Sequence, residues 1–187
     1  MKRNRQWQSG FTLIEMMIVI AVTVIVAGMV VPVTKGVLSS TKADSSLGAA
    51  VDVLTQARDQ AVAQRRNFEL AFVGTSHLQV WRIEVPSGTR TQIMDIPLEG
   101  GQQFQKFAAL PDTPDAFGNA TAIKFSGTGP WMFTSDGSLI DSNGDISNGT
   151  IFLGVPTDDK SARAVTVFGA TGLLRTWRWR GTKWFSN

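Results

Sequence analysis

Between Phe11 and Val33 the sequence runs for 23 residues with one ionisable group, Glu15. As a helix such a run is about 35 Å long, enough to cross a hydrocarbon core. Lys2, Arg3 and Arg5 precede it with no acid among them, and Lys35 and Lys42 follow. That asymmetry favours a cytoplasmic N-terminus. A secretory signal peptide carries an apolar region of about 7–15 residues before a small-residue cleavage site. This run is longer, and it holds a carboxylate. At membrane depth a carboxylate costs on the order of 2.5–3.5 kcal/mol. Glu15 therefore either sits shallow, near the headgroups, or has a partner.

Residues 9–20, Ser9-Gly10-Phe11-Thr12-Leu13-Ile14-Glu15-Met16-Met17-Ile18-Val19-Ile20, carry a resemblance. They resemble the N-terminal signal of type IV prepilins and type II secretion pseudopilins. The shared features are a short basic leader, a glycine before the cut, a phenylalanine after it and a glutamate at the fifth mature position. Pro32 corresponds to the helix-kinking proline of many pilins. The resemblance implies that a membrane-embedded prepilin peptidase cleaves between Gly10 and Phe11 and that the new Phe11 amine is methylated. The implied partners are that peptidase, other pilin or pseudopilin subunits and the inner membrane. Glu15 would pair with the Phe11 amine of a neighbouring subunit. Each charge is costly alone in an apolar bundle, and together they fix the axial register.

Beyond the apolar run, Ala43, Leu47, Ala50, Val51, Leu54, Arg58 and Ala61 recur at helical spacing. Arg58 interrupts the stripe, although its stem can pack while its charge reaches water. The pattern predicts one helix from Thr12 to about Gln64, bent near Gly28 and Pro32. From Asn67 the period changes. Strands are expected at Phe68–Val73, Leu78–Val85, Gln92–Ile96, Ala122–Phe125, Trp131–Thr134, Thr150–Val155, Ala164–Phe168 and Leu173–Trp179, with a final edge at Thr182–Phe185. Residues 100–119 read as an irregular connection. The fold class is α+β: a long membrane-spanning helix packed on an antiparallel sheet domain. The expected division is a leader at 1–10, a transmembrane half-helix at 11–34, a periplasmic amphipathic half at 35–66 and a β-rich domain at 67–187.

This order, with the segments Gln56-Ala57-Arg58-Asp59-Gln60-Ala61-Val62, Phe133-Thr134-Ser135-Asp136-Gly137-Ser138 and Val165-Thr166-Val167-Phe168-Gly169-Ala170-Thr171-Gly172, is similar to the GspH/FimT group of minor pilins. The likeness implies a filament subunit of a secretion pseudopilus or a type IV pilus, not an enzyme.

Composition narrows the alternatives. The chain has no cysteine, which removes disulfides, thiol catalysis and thiolate metal sites. His77 is the only histidine. A lone imidazole argues against a transition-metal site, and His77 reads as a surface turn residue. No Ser/His/Asp arrangement and no phosphate-cradling loop is visible, and no cofactor is expected. Asp141, Asn143 and Asp145 alternate like the first half of a calcium loop. Ile146 stands where the loop glycine belongs and Phe152 where its bidentate Glu belongs, so plain turn chemistry explains the segment as well.

The leader carries all the excess charge; from Phe11 onward basic and acidic residues balance. After Asp159 there is no acid, and Arg175, Arg178, Arg180 and Lys183 interleave with Trp177, Trp179 and Trp184. Cations neutralise phosphates and indoles stack on bases, so DNA is one reading. It would suit a minor pilin acting in DNA uptake, although the family's basic motif follows a glycine and here Gly172 is followed by Leu173. In a strand Arg175 sides with the tryptophans, and Arg178 and Arg180 alternate with them. The sequence favours an edge hairpin with Trp inward and Arg solvated.

Overall fold

The computed structural model describes residues 11–186, with side chains described at 11–28 and 38–186. Gly10 and the side chain of Pro32 lie outside the described residues, as does the bend expected there. The chain forms two compact units, Met1–Leu38 and Ser39–Asn187. One helix, α1 (Leu13–Gln64), contributes to both.

In the first unit, Phe11 and Thr12 are not helical and α1 begins at Leu13. Thr12 acts as its N-cap. Its hydroxyl accepts the backbone N–H of Glu15 at 3.3 Å, and its carbonyl accepts that of Met16 at 3.2 Å. Glu15 stands in the first turn, where the helix dipole favours an anion. The described apolar side chains here, from Phe11 to Val26, are exposed within this chain. Among the described residues no helix is long and apolar enough to cross a membrane. Their description stops at Gly28, short of the end of the apolar run.

Among the described residues, the second unit holds the rest of α1 and eleven strands in two antiparallel sheets. Sheet A has the order β3 (Arg90–Pro97), β2 (His77–Ile83), β1 (Phe68–Val73), β6 (Trp131–Phe133), β7 (Leu139–Ile140). Sheet B has the order β11 (Trp184–Ser186), β10 (Leu173–Trp179), β9 (Asp158–Phe168), β8 (Gly149–Val155), β4 (Gln103–Phe104), and β5 (Ile123–Phe125) also pairs β8. The architecture is α+β. The main core joins Leu47, Leu54, Ala57 and Ala61 of α1 to Phe68, Leu70 and Phe133 of sheet A and to Ile151, Leu153 and Val165 of sheet B. Because α1 meets both sheets, its buried face is wider than the sequence stripe: Val53 and Ala57 are buried too. A second cluster gathers Trp177, Trp179 and Trp184 with Phe152, Ala162, Ala164 and Leu110.

Several boundaries differ from expectation. Two-residue strands β4 and β7 lack enough length for a period-2 signal. β9 begins at Asp158, six residues before the expected start, because the Ser161 hydroxyl accepts the Val155 N–H at 2.8 Å and holds a polar hairpin. His77 opens β2 instead of sitting in the turn, with Nδ1 2.9 Å from Asp95 Oδ1.

Candidate functional site

The residues singled out in the sequence lie apart in the structure. At the helix start, Phe11 is 78% exposed and outside the helix, with Glu15 one turn further on. Neither has a side-chain partner among the described residues. The segment therefore presents an apolar surface with one carboxylate near its tip, and nothing in the described chain covers it.

The four C-terminal cations have three different settings. Arg175 Nη1 donates to Asp115 Oδ1 at 2.9 Å, and its guanidinium lies 4.7 Å from the Phe168 ring centre. Arg178 Nη2 donates to Asp44 Oδ2 at 2.7 Å. Arg180 and Lys183 both lie 4.9 Å from the Phe185 ring centre. The three tryptophans are buried in their own cluster, so their faces are not available to stack on bases. Two of the four cations are engaged by carboxylates, Arg178 by one that it shares with Arg163. Arg178 is also less solvated than the hairpin picture expects, because it faces α1.

The Asp141 segment is a turn with its ligands turned inward. Asp141 Oδ1 accepts the backbone N–H groups of Asn143 at 2.8 Å and Asp145 at 3.0 Å, and Oδ2 accepts that of Thr128 at 3.3 Å. Burial pushes its pKa up, but these donors and the Asn143 amide outweigh burial and hold it below the usual carboxylate range. Among the described residues no group of three His, Cys, Asp or Glu is placed to hold a metal ion. The Asp141 carboxylate thus serves the turn chemistry that the sequence also allowed for Asp141, Asn143 and Asp145.

Sequence reasoning missed the part played by Arg163. Among the described residues it is the largest fully buried side chain, bonded to Asp44, Ser40 and the carbonyls of Lys160 and Ala162. Its alternation with buried Ala162 and Ala164 gives no sign of a partner on α1.

Residues 50–172 match the family model described as Type II transport protein GspH. The chain belongs to the GspH family. Residues 8–31 also match the Prokaryotic N-terminal methylation motif. Among solved structures, this GspH-family chain is similar to the minor pseudopilin EpsH from the type 2 secretion system of Vibrio cholerae. The TM-score is 0.50 at 15% identity, covering 73% of this chain and 97% of that one. At that identity the likeness is one of fold. No curated protein sequence matches the chain. The match to the family model lends no support to the DNA reading.

Proposed function

We propose that this chain is a minor pseudopilin of a type II secretion pseudopilus. The observation that carries the reading is the joint match: a methylation motif over residues 8–31 leads into a GspH domain over residues 50–172. In this reading residues 1–10 are a leader that prepilin peptidase removes at Gly10–Phe11, and the Phe11 amine is then methylated. Residues 11–34 anchor the precursor in the inner membrane, residues 35–66 continue the helix outside it, and residues 67–187 form the periplasmic domain. After cleavage the basic leader no longer holds the N-terminus at the cytoplasmic face, and the helix can leave the bilayer for the filament.

The exposed apolar face of residues 11–28 suits two successive environments, lipid before assembly and neighbouring helices after it. A carboxylate in either is costly unless paired. Glu15 of one subunit against the Phe11 amine of the next meets that requirement. Mass spectrometry of the protein from its native cells tests the reading. It should show a mature chain beginning at N-methylated Phe11 and co-isolating with other pseudopilins. A chain that still begins at Met1 in cells with an active peptidase would overturn it.

A further inference from the structure

The three segments that resemble the minor-pilin group meet at one side chain, Arg58. Gly137, in the turn between β6 and β7, and Gly172, in the turn between β9 and β10, have φ values of +84° and +62°. A Cβ at Gly137 would lie 3.2 Å from Arg58 Nε, and one at Gly172 would lie 2.7 Å from both Cδ and Nε. Both turns thus close around the arginine and admit it because they lack side chains. Arg58 Nε is buried without a hydrogen-bond partner. Among the described residues Arg58 makes no ion pair either. The acid in the adjacent turn, Asp136, directs its carboxylate to Thr134 and Ser138.

Beside Arg58 opens a cleft of about 250 Å³ lined by Val51, Thr55, Gly172, Leu173 and Leu174. Thr55 donates its hydroxyl to the Val51 carbonyl at 2.8 Å, so its hydrogen is already engaged. Leu173 is 49% exposed at the rim. The cleft therefore combines apolar walls with one cation, Arg58, in its lining.

We propose that Arg58 and this cleft receive a carboxylate, an Asp or Glu flanked by apolar residues, from an adjoining pilin-like subunit. The proposal rests on the filament reading above. A guanidinium matches a carboxylate in charge and in its array of N–H donors, and Arg58 lines the cleft. A phosphate group would leave the apolar walls unused and would carry more charge than one guanidinium offsets. An acidic side chain with apolar neighbours satisfies the cation and covers Val51, Leu173 and Leu174 together.

The test places a photo-crosslinking amino acid at position 173 of the full chain in its native cells and identifies the crosslinked peptide. The expected peptide comes from a subunit with a prepilin signal and contains Asp or Glu. Its yield falls roughly tenfold in Arg58→Gln and partly recovers in Arg58→Lys, as for loss of a charge-assisted contact. An unchanged near-UV spectrum and Tm establish that the variants fold. If Arg58→Gln does not fold, converting the acid in the captured peptide to its amide must lower the yield instead. No crosslink, a peptide without an acid, capture of a secreted protein, or a yield indifferent to Arg58 or to that acid overturns the proposal. Terminal sequencing of the same samples separates the two claims. A mature start at Phe11 with an Arg58-independent crosslink sinks only the cleft, and an unprocessed Met1 sinks both.

Discussion

Arg163 on β9 reaches α1 at Asp44, its Nε 2.7 Å from Oδ1, while the arginine is only 1% exposed. The same carboxylate takes Arg178 Nη2 at 2.7 Å on its other oxygen. One acid on the helix thus fastens two strands of sheet B. A charge this deep is tolerated only when its donors are matched, and Arg163 also reaches Ser40 and two backbone carbonyls.

Asp44→Ala is expected to strand Arg163 as a buried cation and lower the unfolding free energy by about 3 kcal/mol. Arg163→Met, which removes the charge and keeps much of the volume, should cost less. Chemical denaturation of the detergent-solubilised chain, followed by tryptophan fluorescence, checks the order. Equal losses in the two variants would remove the role given to the ion pair.

Asp136 links stability to pH. Hydrogen bonds from the Thr134 hydroxyl and from the Ser138 N–H and hydroxyl hold its pKa at about 2, against 3.8 for the free group. The folded value is depressed, so its contribution is fully present above pH 3.8 and disappears as the pH falls toward 2. The Tm gap between the wild type and Asp136→Asn should be constant from neutrality to about pH 5 and close below that. A gap that survives at pH 2 would show that the turn does not depend on the charge.

Two glycines should respond in opposite directions. A Cβ at Gly48, on the exposed side of α1, would meet nothing within 4 Å, and Gly48→Ala should stabilise by about 0.5–1 kcal/mol through helix propensity. At Gly169 the nearest backbone, around Ser147, leaves no room, and Gly169→Ala should destabilise by about 1–3 kcal/mol. Paired thermal melts of the two variants decide it.

Glu15→Ala is expected to leave cleavage before Phe11 intact while excluding the subunit from the filament. Processing read by mass spectrometry, alongside incorporation read from sheared filament fractions, separates the steps. Normal incorporation would argue against the pairing between Glu15 and a neighbour's Phe11.

The sequence made α1 legible within one residue at its start, because an apolar run and a helical stripe overlap without a break. β1 and β10 are also as expected, since each has a full period of apolar or aromatic residues beside a Gly-containing turn. What escaped is tertiary in origin. Val53 and Ala57 are buried because a second sheet meets the helix, which no local period records. Arg178 read as part of a basic tail, yet it and Arg163 point at an acid more than a hundred positions earlier in the chain. The alternating oxygens at Asp141, Asn143 and Asp145 suit a metal loop and an Asx turn equally well, and the sequence does not record that Asp141 accepts the Asn143 and Asp145 N–H groups.

The cap at Thr12 has a consequence for proteolysis. Peptidases grip their substrates as stretched backbone, and a bond locked inside a coil must first be melted. Here the coil begins two positions after the bond that the proposed processing breaks, so the enzyme meets Phe11 already uncoiled. On that reading, the Thr12 hydroxyl would still close the first turn once the leader is gone.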